Sequence, residues 1–358
     1  MTRRRHRTGG SGERQLSNQR PRATGAATIR KTMNAPCAQN LTPETPSLFA
    51  SQSTLPARGT RGLTPLQLRL QQRLQSASFR ALNEQLYGST SEASKQLFDR
   101  QPELFQEYHR GYREQMAGWP VKPVEECVRY LRQRITERLR LLRRRQVQRD
   151  RTGSRMHAAS REEFIIVDMG CGDAHIAAQL DSRFTPSAAS SDAAGHLRVQ
   201  VHSYDLVAGN TRVTACDVAR GVPLPSQVAD AVVFCLSLMP SNYEALLNEG
   251  IRLLRRTETS DDTHRGTAST ARMLVIEVAS RFQDADTPTT NASPVSRTER
   301  AFVQGLASRG LRLLHRRDLQ RFFLLFEFAL AEETTEAVAE YSSRVPMPPL
   351  KPCAYKRR

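Results

Sequence analysis

The stretch from Phe164 to Ile176, FIIVDMGCGDAHI, constrains this chain more than any other. Four consecutive apolar residues, Phe164 to Val167, predict a strand covered on both faces, as strands of parallel sheets are. The strand ends in Asp168 and breaks at once into Gly170, Cys171 and Gly172, which allow a tight turn whose backbone can approach a ligand. Ala174 to Leu180 then resume a helix-compatible pattern. Strand, glycine turn and helix in that order form the first unit of a doubly wound α/β sheet, whose ligands sit beyond the carboxyl ends of the strands.

Two nucleotide-type cofactors use such a turn. A dinucleotide fingerprint wants a glycine or alanine three residues after the second glycine, where this chain has His175. Dinucleotides also place a pyrophosphate on a helix N-terminus, whereas the sulfonium of S-adenosyl-L-methionine is a cation that gains from nearby carboxylates. Asp168 and Asp173 bracket the turn and suit the cation. The next strand, Val199 to Tyr204, ends in Asp205, the acid a nucleoside cofactor needs for its ribose hydroxyls. A short strand, Arg212 to Cys216, leads into Asp217, placed to address the adenine amino group or the start of the next loop. A single strand-end aspartate is ordinarily a cap or turn former. Three at successive strand ends point to a shared ligand.

Asp230 to Met239 (DAVVFCLSLM) reads as the strand beside which a methyl acceptor lies, followed by polar Ser237, Ser241 and Asn242. Cys235 follows Phe234 and not the proline expected before a nucleophilic cysteine of the cytosine-C5 type, so it is assigned to the pocket lining. The Asn/Asp-Pro-Pro-aromatic tetrapeptide of amino-group methylases is absent. Tyr204, Phe234 and Phe282 are base-stacking candidates by location alone.

VDMGCGDA, VHSYDLVA, RVTACDVA, VPLPSQVADAVVFCLSLM and IEVASRF, in that order, resemble the ribosomal RNA processing protein 8 (nucleomethylin) family. The likeness extends upstream through SASFRALNEQLYGSTSEASKQLFDRQPELFQEYHRGYREQMAGWPVKPVEECVRYLRQR, and spans about Leu63 to Leu330. It implies a class I (Rossmann-like) methyltransferase fold, with a seven-stranded, mostly parallel sheet and an N-terminal helical lead-in. It further implies an S-adenosyl-L-methionine-dependent enzyme of the nucleolus that methylates N1 of an adenine in large-subunit ribosomal RNA. The family's cofactor contacts fall on His109, Gly170, Asp205, Asp217, Val218 and Cys235. Val218 stands where the family usually has methionine, and Pro240-Ser241 replace a Gly-Thr pair, stiffening the loop beside the expected acceptor. The resemblance also allows another class of function, a cofactor-sensing adaptor that recruits silencing partners to nucleolar chromatin or ribosomal DNA.

His109 shares a helical face with Phe105, Tyr108 and Tyr112, a pattern that by itself marks a core or rim histidine. Through the resemblance it becomes the lid of the cofactor pocket. Tyr243 to Arg255 predicts an amphipathic helix, Met273 to Val278 a strand ending near Glu277, and Arg297 to Ser308 a further helix. Leu311 to Leu314 and Phe322 to Leu330 predict the antiparallel closing hairpin.

The expected divisions are a disordered basic segment over 1–60, a helical lead-in with an arginine-rich helix over 61–158, the methyltransferase domain over 159–332 and a tail over 333–358. Residues 1–60 hold too few large apolar side chains to offset chain entropy, and polar inserts occupy 186–195, 257–271 and 284–296. The net charge of +17 directs attention to a polyanion. Basic runs lie at Arg3 to Arg30 and at Arg132 to Arg151; the first could equally serve as a nuclear or nucleolar import signal, and a mitochondrial presequence is the lesser reading of it. Six cysteines without a C-x-x-C pair or metal spacing predict reduced thiols and no zinc. No apolar run reaches the roughly 18 residues of a membrane span, so no membrane partner is expected.

Overall fold

A computed structural model describes residues 64–152, 162–182, 197–256, 270–284, 295–331 and 344–353. The segment 1–60 and nearly all of the three polar inserts lie outside the described residues.

The lead-in comprises α1 (Pro65–Gly88), α2 (Ser91–Arg100), α3 (Pro102–Ala117) and the long α4 (Pro123–Thr152). Local chemistry sets their starts. Thr64 and Gln67 form a reciprocal capping box before Pro65, and the Thr90 hydroxyl accepts from the Ala93 N–H. Phe79, Leu82, Leu86, Phe98, Phe105 and Tyr108 bury a small core of their own, each contributing about 1.5–3 kcal/mol by the usual side-chain scale. Gly111 makes that packing possible, because a Cβ there would stand 2.5 Å from the Phe79 ring.

The rest of the chain alternates strands and helices: β1 (Glu162–Met169), α5 (His175–Leu180), β2 (Leu197–Asp205), β3 (Val213–Ala215), β4 (Ala231–Cys235), α6 (Tyr243–Leu253), β5 (Arg272–Val278), α7 (Arg297–Ala307), β6 (Leu311–Leu319) and β7 (Phe323–Leu330). The seven strands run in the order β3-β2-β1-β4-β5-β7-β6. β1 to β5 are parallel, and β7 pairs antiparallel with both β5 and β6, the expected class I arrangement. Continuous apolar runs in β1, β4 and β5 are buried on both faces. Alternate residues feed two cores. Val167, Phe234 and Val275 pack with Leu247 and Phe302, whereas Ile166, Val233 and Ile276 pack with Cys127, Leu131 and Ile176.

Two expectations change. β6 runs to Leu319, well past Leu314, because an edge strand can carry exposed charge; Arg316 pairs with Glu299 and Arg317 with Glu126 across its faces. Residues 344–353 are no loose tail. The Cys353 carbonyl accepts from Asn83 Nδ2 (2.9 Å), the Lys351 carbonyl from Arg281 Nε (3.0 Å) and the Val345 carbonyl from Arg309 Nη1 (2.8 Å). Met347 and Leu350 pack on the main core.

Candidate active site

The sheet order reverses between β1 and β4, and a cavity of about 400 Å³ opens at the carboxyl ends of the strands there, roofed by α2 and α3. Its floor is the turn after β1. The Gly170 and Cys171 N–H groups both donate to the Tyr204 carbonyl (2.8 and 3.0 Å), which ties the turn to the end of β2. Gly170 has φ of +74°, and a Cβ on it would stand 2.4 Å from Ser237 Cβ, so the turn after β1 and the loop after β4 meet only through glycine.

Asp205 is held by two backbone donors. Gly172 N–H reaches its Oδ2 at 2.7 Å and Leu206 N–H its Oδ1 at 2.8 Å, leaving further lone pairs toward the cavity. Burial pushes its carboxyl above the usual range, against the opposing effects of His109 and these N–H groups. His109 stands over Gly172, where a Cβ would lie 3.2 Å from its Cε1. Burial lowers the pKa of His109, against the pull of Asp205 and Asp173, and Phe105 packs 4.3 Å away between ring centroids.

Asp217 divides its work. Oδ1 caps the 3-10 turn Val218–Arg220 by accepting from Ala219 N–H (3.1 Å), while Oδ2 is buried without a hydrogen-bond partner. Val218 and Cys235 line the same cavity. Asp168 is buried on its wall at the end of β1, and desolvation together with the Asp205 charge raises its pKa to about 7. All six residues expected to touch the cofactor therefore border one space.

Other sequence candidates are engaged by neighbouring protein groups or lie elsewhere. Asp173 lies on the rim and is engaged by Arg113 at 2.8 Å. Ser241 and Asn242 hold the roof, since Ser241 N–H donates to the Ser89 carbonyl (2.9 Å) and Asn242 Oδ1 accepts from Ser91 N–H (2.9 Å). Tyr204, Phe234 and Phe282 are core side chains at 3%, 0% and 1% exposure and do not line this cavity. The aromatic lining comes instead from Phe98, Phe105, Tyr108 and Tyr112 on the roof. Glu277 is fully buried and pairs with Arg281 at 3.0 Å; Glu277 accepts from Leu238 N–H and Arg281 donates to the Leu238 carbonyl, so the pair clamps the loop after β4.

Ser94 was not foreseen. Its Oγ is buried without a partner, and the residue lines the cavity from α2, the helix that packs over the Val218–Arg220 turn through the Arg220–Glu92 ion pair. Small polar residues recurring on the buried face of a short helix, Ser91 and Ser94 before Phe98, were the available signal.

Residues 65–358 match a family model described as hypothetical methyltransferase. The chain is 32% identical over 297 residues to the 25S rRNA (adenine(645)-N(1))-methyltransferase of Schizosaccharomyces pombe, covering 83% of this chain and 73% of that protein. It is 34% identical over 222 residues to the enzyme of that name in Saccharomyces cerevisiae, covering 62% of this chain and 50% of the relative. Against ribosomal RNA-processing protein 8 of Mus musculus it is 30% identical over 293 residues, covering 82% of this chain and 48% of the relative. The chain thus spans about half the length of the last two.

Proposed function

The chain belongs to the ribosomal RNA-processing protein 8 family of methyltransferases, and we propose that it methylates N1 of an adenine in large-subunit ribosomal RNA, with S-adenosyl-L-methionine as methyl donor. The observation that carries this reading is the set of three aspartates at successive strand ends, Asp168, Asp205 and Asp217, directed at one cavity in a chain of net charge +17. Such a cavity favours a cation bearing a nucleoside. The unpartnered Asp217 Oδ2 and Ser94 Oγ fit it further, because a buried polar atom without a partner costs about 1–3 kcal/mol until a ligand satisfies it.

When bound, the donor supplies an electrophilic methyl group on a positively charged sulfur. Asp205 would accept from the ribose hydroxyls, and Asp217 Oδ2 from the adenine amino group, with Val218 as an apolar wall. Gly170 would leave room for the methionine portion, Asp168 would offset the positive charge, His109 would close the roof and Cys235 would border the acceptor side. N1 of a neutral adenine has a free lone pair and no proton to lose, so these residues need only bind, orient and exclude water. The neutral state favoured for His109 suits a roof that neither repels a cation nor competes for Asp205.

N1 is occupied in a base pair, so the target must be unpaired or flipped out of its helix. This substrate assigns the chain to the nucleus and nucleolus, with the preribosome and nucleolar proteins as partners. The test is incubation of the purified chain with donor and large-subunit ribosomal RNA, followed by nucleoside mass spectrometry. N1-methyladenosine that depends on Asp205 is expected; unmodified RNA under turnover conditions overturns the reading.

A further inference from the structure

One helix joins the cavity to the opposite edge of the sheet. α4 begins beside the site, where Val124 and Glu125 line the cavity at the carboxyl ends of the strands. Three to four turns later it has crossed to the amino ends. Arg138 Nη2 pairs with Glu162 Oε2 at 2.7 Å, at the first residue of β1, and Arg134 Nη2 donates to the Thr270 carbonyl (2.8 Å) just before β5. The helix continues past these anchors to Thr152.

The continuation has a different character from the anchored part. Arg132, Arg134 and Arg138 bond to Gln179, the Thr270 carbonyl and Glu162 of the folded body, and Leu131 and Ile135 pack into its core. Beyond Arg138, the side chains of Arg140, Arg143, Arg144, Arg145 and Arg151 are exposed. At 100° per residue, Arg140, Arg143, Arg144 and Arg151 fall within about 100° of one another, forming a single basic stripe. A rise of about 1.5 Å per residue puts Arg140 about 23 Å, Arg145 about 30 Å and Arg151 about 39 Å from Glu125 along the axis.

We infer that this overhang is a phosphate-docking arm for the same RNA, gripping it far from the adenine that enters the cavity. The inference rests on the proposed RNA substrate and adds where else the protein holds it. Exposed arginines in a stripe match the phosphate backbone by charge and by their forked donors. The fixed helix sets a footprint. At roughly 3.4 Å per base step, the 23–30 Å between cavity and arginines corresponds to about seven to nine steps, and to more for compact A-form RNA. The substrate is therefore a structured RNA that reaches across the sheet, and a short oligonucleotide carrying the target adenine fills the cavity without touching the arm.

The test compares the full chain with an R140Q/R143Q/R144Q/R145Q variant and with the matching four-lysine variant. Cofactor affinity and melting temperature serve as checks that the fold is kept. First, binding to a 30-base-pair RNA duplex is followed by anisotropy over a salt series. The glutamine variant is expected to lose at least about tenfold in affinity at low salt and to flatten the log-log salt slope by about 3, at about 0.7–0.9 per phosphate contact. The lysine variant is expected to keep most of both. Second, kcat/KM is measured on a ribosomal RNA fragment of about 200 nucleotides and on an eight-nucleotide RNA centred on the modified adenine. Wild type is expected to prefer the long RNA by at least about tenfold, and the glutamine variant to lose that preference. An unchanged slope and preference overturn the arm, as does loss of an acidic protein partner with RNA binding intact. If wild type methylates neither RNA, the proposed reaction fails, while the duplex measurement still decides the arm.

Discussion

Apart from Asp181, whose carboxylate accepts from the Val201 N–H, the buried acids among the described residues and half-buried Asp205 fall into two settings. Away from the cavity, Glu126, Glu249, Glu277, Glu299, Glu327 and Asp230 each hold an arginine within 3.3 Å, and several also accept a backbone N–H. Around the cavity, Asp168, Asp205 and Asp217 have no arginine or lysine at ion-pair distance among the described residues. With arginine and lysine so abundant, leaving these three unpaired is a specific arrangement. Paired acids fasten elements together, and burying either charge alone would be costly. Unpaired acids sharing one space reserve their charge for a cation that arrives from outside.

Breaking the first kind of acid should give the largest effect. Glu277→Leu strands the Arg281 guanidinium in the core, beneath Tyr87 at 4.8 Å, and is expected to cost about 3–5 kcal/mol in denaturant unfolding. A loss under about 1 kcal/mol would show that the pair is not a fastener. The second kind should instead affect binding. Asp205→Ala is expected to weaken S-adenosyl-L-methionine at least about a hundredfold by calorimetry, or about 2.7 kcal/mol, with the melting temperature changed little. Wild-type affinity in that variant would remove Asp205 from the site.

A pH series sharpens the contrast. Asp168 has a pKa raised to about 7 from 3.8, so whatever it contributes to the stability of the ligand-free protein is present below pH 3.8 and lost as pH rises through 7. Binding of a cation runs the other way. Affinity is expected to fall about tenfold from pH 8 to pH 6, with proton release on binding near pH 6, and Asp168→Asn should flatten the profile. A flat wild-type profile would take Asp168 away from the positive charge. The smallest effect concerns Ser94, whose replacement by alanine should weaken the cofactor about fivefold, near 1 kcal/mol. Tighter binding would mean its hydroxyl is merely an orphan.

The same contrast explains what could be read from sequence. Asp168, Asp205 and Asp217 were legible because each ends a strand, and strand ends of this sheet converge by topology. So were the strands themselves, since Phe164–Val167 and Ala231–Phe234 are apolar runs too short for helices. Partners set by long-range packing were not. Nothing local tells that Phe234 turns toward α6, where a Cβ on Gly250 would touch its ring at 2.9 Å, or that Phe282 packs edge-on to Phe302 and tilted against Phe326. Ser241 and Asn242 look like ligand groups in sequence, yet they bind a linker about 150 residues earlier in the chain. Residues 344–353, rich in proline and without periodicity, gave no sign that they would pack.

That last segment sets an order of events during synthesis. The Asn83 side chain in α1 waits for the Cys353 carbonyl, 270 residues later. At the usual 5–20 residues added per second, Asn83 is made about 14–54 s before the segment that fastens its helix. A nascent chain therefore passes through a stage in which α1 has been made while residues 344–353, which bridge it to the Arg281 turn after β5, are still to come.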